Sequence, residues 1–188
     1  MGQAVRLTDT GRDADVIDAV VRWSEEFIEQ PHDMFGGLPV CPFARAARLK
    51  QTIRFDVRHF ALDDPLEANG DLLTLVREFA QETTAGRLET LFVIHPDSRQ
   101  CLLPDLLAFV ARLNTRMAEG ELNGFQAFEA HPESNFRIGS LYTRRSPYPS
   151  FQVLGRALLK KGSDSLLDSP YYSRFSPEML RAVGMRRR

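Results

Sequence analysis

The sequence predicts an α/β domain from the order of its strand-like and helix-like stretches and from its length and hydrophobic content. Short β-type runs at residues 52–59, 91–95 and 124–131 are separated by amphipathic stretches long enough for a helix. Strands spaced by helices in this way form parallel crossovers, so the core is expected to be a β-α-β-α-β unit with a fourth short strand and added N- and C-terminal helices. The chain has 188 residues, 43% of them hydrophobic, which suits one domain with a sizeable core and excludes a disordered segment or a disulfide scaffold. It divides into a flexible start, residues 1–12, and a single domain, residues 13–185.

The first element spans residues 14–28, where Ile17, Val20, Val21, Phe27 and Ile28 recur at helical spacing over a core. After a loop closed by Gly36 and Gly37, Pro42 marks the start of a shorter helix. Proline suits a first helical turn, and nothing from Phe43 to Leu49 breaks one. Residues 52–59 alternate, with Ile53, Phe55 and Val57 on one face and Arg54, Asp56 and Arg58 on the other, the pattern of a half-buried strand near a sheet edge. Leu72, Leu73, Val76, Phe79 and Ala80 return to helical period, with Asn69-Gly70 setting the start near Asp71.

The apolar run Leu91, Phe92, Val93, Ile94 reads as a central strand covered on both faces. Pro104 opens the next helix, on which Leu106, Val110, Leu113 and Met117 form a stripe that Gly120 ends. Residues 124–131 supply a third strand and residues 151–154 the fourth, of undetermined direction. A helix follows Pro177, and Arg186, Arg187 and Arg188 form a solvated end.

Only Lys50, Lys160 and Lys161 are lysines, so 21 of the 24 basic residues are arginines. The 25 acidic residues cancel them to a net charge of −1, which does not favour a general nucleic-acid binder. The first twelve residues are polar and lack the apolar centre of a secretory signal, and no apolar run approaches the ~18 residues of a membrane span. The protein is therefore expected to be cytoplasmic, with Cys41 and Cys101 as free thiols.

Three elements could carry chemistry. Two near-identical tetrads, His95-Pro96-Asp97-Ser98 and His131-Pro132-Glu133-Ser134, each follow a predicted strand. A residue before proline is pushed toward extended geometry, so both histidines should sit at strand ends, where ligands of open parallel sheets gather. The plain alternative is that His-Pro merely terminates the strand. Cys41-Pro42-Phe43-Ala44 places a thiol at a helix start, where amide donors and the helix dipole favour a thiolate, with Arg45 and Arg48 adding positive charge. Its plain alternative is a small residue packed under the helix.

Residues 142–149 join Tyr142, Arg144, Arg145 and Tyr148 in a proline-bounded loop, where planar guanidiniums and phenols suit a carboxylate or phosphate unless the arginine pair is simply solvated. His59 could look inward at a strand end, and Glu129, Asp97 or Glu133 could orient an imidazole. No dinucleotide, P-loop, zincin, paired CxxC or nucleophile-elbow motif is present.

Taken together, the Cys-Pro-Phe-Ala motif at Cys41, His95-Pro96, His131-Pro132 with Phe136, and the stretch from Tyr142 to Pro149 resemble an uncharacterised bacterial domain-of-unknown-function family. The likeness runs in order over residues 20–158. Arg144 stands where the family usually has asparagine, and the loop before Tyr142 is shorter, so a pocket shape does not carry over. The resemblance implies no activity, only that the three elements belong together.

The leading expectation is a small enzyme acting on an anionic small molecule at the carboxyl edge of the sheet. In one version Cys41 is the nucleophile or redox thiol, His95 or His131 the general base and Arg145 the anchor. In another, Cys41, His95 and His131 bind zinc or iron, with haem as a further alternative. The competing expectations are a non-catalytic binding protein, in which Tyr142, Arg144, Arg145 and Tyr148 hold an anionic small molecule or an acidic protein segment, and a homo-oligomeric scaffold.

Overall fold

The computed structural model describes residues 11–62 and 66–182. Among them are six α-helices, a four-stranded mixed sheet and a two-stranded hairpin. In chain order these are α1 (Gly11–Trp23), α2 (Ala44–Leu49), β1 (Ile53–Val57), α3 (Gly70–Thr84), β2 (Thr90–Ile94), α4 (Leu103–Ala118), β3 (Phe125–Ala130), β4 (Arg137–Ile138), β5 (Leu141–Tyr142), β6 (Ser150–Gly155), α5 (Arg156–Ser165) and α6 (Pro177–Ala182). The expected flexible start lies outside the described residues except for Gly11 and Arg12, which open α1. The arginine end at 186–188 also lies outside them.

The β-α-β-α-β order is present as β1-α3-β2-α4-β3. β1 pairs β2 in parallel and forms one edge of the sheet, whose order is β1-β2-β6-β3. The last strand settles its direction by running antiparallel to both β2 and β3, and it lies between them. Phe151 and Val153, both fully buried, explain the place: they complete the apolar floor under α3 and α4.

That floor is the main core. Leu72, Val76 and Phe79 of α3 and Leu106, Phe109 and Leu113 of α4 close over Leu91, Val93, Phe151 and Val153. Alternation along β2 sends Phe92 and Ile94 to the opposite face, where Val16 and Val20 of α1 meet them together with Val57. The polar face of β1 and of the residue after it is turned to α3, Arg54 pairing with Glu78 and Arg58 with Asp71. A third cluster ties distant segments together, packing Phe35 and Val40 against Ile138, Tyr171 and Phe175.

Two boundaries differ from the sequence reading. The first helix ends at Trp23 and continues as a wider turn over Ser24–Ile28, in which the Glu29 amide reaches back to the Ser24 carbonyl at 2.8 Å. The second helix starts at Ala44 and not at Pro42, with Phe43 in the cap position, so Cys41 heads a preceding turn and does not cap the helix. No helix among the described residues is long and apolar enough to cross a membrane.

Candidate functional site

Because β1, β2 and β3 run the same way and β6 runs against them, the carboxyl ends of β2 and β3 share one edge of the sheet with the start of β6. Both His-Pro histidines sit on that edge. The His95 amide continues the sheet by bonding the Pro149 carbonyl, and the His131 amide bonds that of Arg144, each at 2.9 Å. Each ring then folds onto its own tetrad. The amide two residues on donates to Nδ1, from Asp97 to His95 at 3.2 Å and from Glu133 to His131 at 3.0 Å.

The two rings part company at the other nitrogen. His131 is 2% exposed and its Nε2 donates to the Cys101 carbonyl at 2.9 Å, so both nitrogens are committed. His95 is equally buried as a residue, but its Nε2 has no hydrogen-bond partner among the described residues, and the ring lines a pocket of about 380 Å³. Its Nδ1 also lies 2.9 Å from the Asp97 carbonyl oxygen. A protonated Nδ1 can therefore donate to that carbonyl, and an unprotonated one can accept from the Asp97 amide. Nε2 is free to carry either a lone pair or a proton toward the pocket.

The rest of the pocket comes from the segment after β1 and from the approach to α4. His59, Phe60, Ala61 and Leu62 line it from the first of these, and Gln100 and Asp105 from the second. The His59 ring stands edge-on to His95 with centroids 4.8 Å apart, and Phe60 meets His95 from the core side at 5.3 Å. Burial, and then the neighbouring His59, pull the His95 imidazole below its ordinary value, with Asp97 opposing. The ring is thereby kept neutral at physiological pH.

The other expected residues lie elsewhere. Cys41 lines a second pocket of about 440 Å³ with Glu25, Glu29, Arg45 and Arg48, and it lines no part of the His95 pocket. The amides of Phe43 and Ala44 do reach its thiol, but burial outweighs them and pushes the thiol up, with the Glu29 charge adding to the rise. This reverses the depressed thiol expected from a helix start. Arg48 offers little relief because it is forked onto Glu29 at 2.8 Å and paired with Glu25 at 2.7 Å. Among the described residues no three histidine, cysteine, aspartate or glutamate side chains gather to hold a metal ion, so Cys41, His95 and His131 do not form one ligand set.

The arginine pair is also occupied. Arg144 pairs with Glu129 and lies 3.7 Å over the Phe136 ring, while Arg145 donates to the Ser134 carbonyl and lies 3.6 Å over Tyr142. Tyr148 packs beside Ile94 and Val57 on the α1 face. These residues brace the loop before β6 and do not line either pocket.

Sequence reasoning gave His59 little weight and did not single out Gln100 or Asp105. The one available signal was their position in the chain: His59 follows a strand that pairs with the strand ending at His95, and Asp105 lies in the first turn of the helix after His95.

A family model described as a protein of unknown function (DUF1415) matches residues 15–184. No curated protein and no solved structure matches the chain.

Proposed function

The chain belongs to the DUF1415 family of unknown function, and from that premise we propose that it is an enzyme that moves a proton on a small polar molecule bound in the His59–His95 pocket. His95 is the group that exchanges the proton. Starting neutral, with Nδ1–H on the Asp97 carbonyl, it takes a proton from a substrate O–H or N–H onto Nε2, and the resulting imidazolium returns it to another atom of the bound molecule. His59 and Gln100 supply further hydrogen bonds, and Asp105 can accept one from the substrate.

The observation that carries this reading is a buried imidazole whose Nε2 has no partner among the described residues and whose other nitrogen is supported by backbone in either protonation state. The anionic anchor expected from Arg144 and Arg145 finds no support at this pocket, since both guanidiniums are engaged on the β6 loop. The ligand is accordingly described as small and polar.

The test is a ligand screen followed by proton NMR of each binder in D2O. Conversion of a binder, or uptake of deuterium at one of its carbon atoms, is expected in the wild-type protein and should fall by about 100-fold or more in His95→Gln while binding persists. Binders that stay unchanged with both proteins would overturn the enzyme and leave a binding protein.

A further inference from the structure

The geometry points to Asn69 as a positioning residue that holds His59 against His95, although it touches neither ring. The sheet pairing of β1 with β2 extends one residue past β1, where the Arg58 amide donates to the Ile94 carbonyl at 3.0 Å. Beyond it the chain remains extended in pattern, with His59 and Ala61 exposed and Phe60 and Leu62 buried. Among the described residues no neighbouring strand accompanies it there. The Asn69 side chain takes that place: its Oδ1 accepts from the Ala61 amide and its Nδ2 donates to the Ala61 carbonyl, both at 3.0 Å.

A primary amide that meets a residue's N–H and C=O together reproduces the pairing of a β-neighbour, and a two-point bond fixes direction as well as distance. His59 is thus carried on a short span tethered at Arg58 and at Ala61. Arg112 of α4 adds a third tether by donating to the Leu62 carbonyl, and Phe60 anchors the span from below against Phe109 and Phe151. Asn69 is 4% exposed, so its bonds to Ala61 are shielded from competition by water. Without them the backbone next to His59 would have no partner for its polar groups, and the ring would leave its edge-on place beside His95.

This assignment rests on the reading of the pocket as an acid–base site, but its test is independent of turnover. In the full-length protein, Asn69→Ala should lose the cross-ring NMR contact between His59 and His95. It should also move the His95 titration midpoint up toward the ordinary imidazole value, since the His59 contribution is removed while those of Asp97 and burial remain. The His131 ring, just past β3 and bound to the Cys101 carbonyl in the loop before α4, should keep its chemical shifts and report an intact fold. Asn69→Asp retains the acceptor for the Ala61 amide and should recover part of the ring contact. An unchanged contact and midpoint in folded Asn69→Ala would overturn the assignment and leave the proton-transfer proposal standing. Loss of the whole fold in both variants would overturn it too, making Asn69 a residue of global stability. A wild-type protein with the ring contact but no proton transfer would reject the function and not the role of Asn69.

Discussion

His95 and His131 receive the same backbone bond at Nδ1, from the amide two residues further on, and differ at Nε2: that of His131 is spent on the Cys101 carbonyl, and that of His95 has no hydrogen-bond partner among the described residues. One tetrad therefore staples the loop before α4 to the end of β3, while its near-copy presents a ring nitrogen to a pocket. The two should separate cleanly under mutation.

Replacing His131 with Phe leaves the Cys101 carbonyl and the Glu133 amide without their partner, and a buried group so exposed costs about 1–3 kcal/mol. His95→Gln retains a polar side chain, and the Asp97 backbone groups that lose the ring belong to a half-buried residue, whereas Cys101 is fully buried. Urea unfolding should accordingly show the larger loss for His131→Phe, with binding in the His95 pocket retained by whatever fraction remains folded.

The His95 ring also predicts a pH dependence. Its value in the folded protein is lowered from 6.5, first by burial and then by His59. Between the folded and unfolded values the unfolded chain holds more protons on this ring, so stability rises with pH across that window. The contribution is complete above about 6.5 and is lost as the pH falls through the window. Unfolding free energies of wild type and His95→Gln should converge as the pH is lowered from neutral to 5. A gap that widens on acidification would contradict the lowered value.

For Cys41 the expectation is an unreactive thiol at neutral pH. Burial raises it above the ordinary 9.0, so alkylation followed by peptide mass spectrometry should accelerate with pH beyond 9 and show no plateau near 7. Cys101, fully buried and pushed up to about 12, should react more slowly still. A fast, pH-independent reaction of Cys41 at neutral pH would restore the thiolate reading.

Beside that thiol, Glu29 has a side chain only 3% exposed and depends on the fork of Arg48. The Arg48 bond lowers the Glu29 carboxyl, which keeps it charged. Arg48→Met should cost about 3 kcal/mol by leaving this charge unpaired, and adding Glu29→Gln should recover much of the loss. A double-mutant cycle by thermal or urea unfolding measures the coupling.

Gly36 and Gly37 make a paired test of the contact between the N-terminal loop and the C-terminal segment. Both have positive φ, +65° and +82°, but a Cβ on Gly36 would lie 2.4 Å from the Pro170 carbonyl oxygen, whereas one on Gly37 meets nothing within 4 Å. Gly37→Ala should cost about 1–2 kcal/mol for backbone strain alone. Gly36→Ala should cost clearly more, because Pro170 must also give way.

What the sequence by itself determined is local. The 3.6-residue period located α1, α3 and α4, alternation located β1, a continuous apolar run located β2, and the X-Pro restriction put His95 and His131 at strand ends, because each of these signals is written within a few consecutive residues. The tertiary structure decided what those residues meet. It inserted β6 antiparallel between β2 and β3, set His59 beside His95, carried Asn69 back onto Ala61, and gave Cys41 a pocket of its own. The Nε2 of His95, without a partner among the described residues, and the bound one of His131 follow near-identical sequence patterns. Only the packing of a carbonyl 30 residues away, from Cys101 onto His131, distinguishes the staple from the candidate catalytic group.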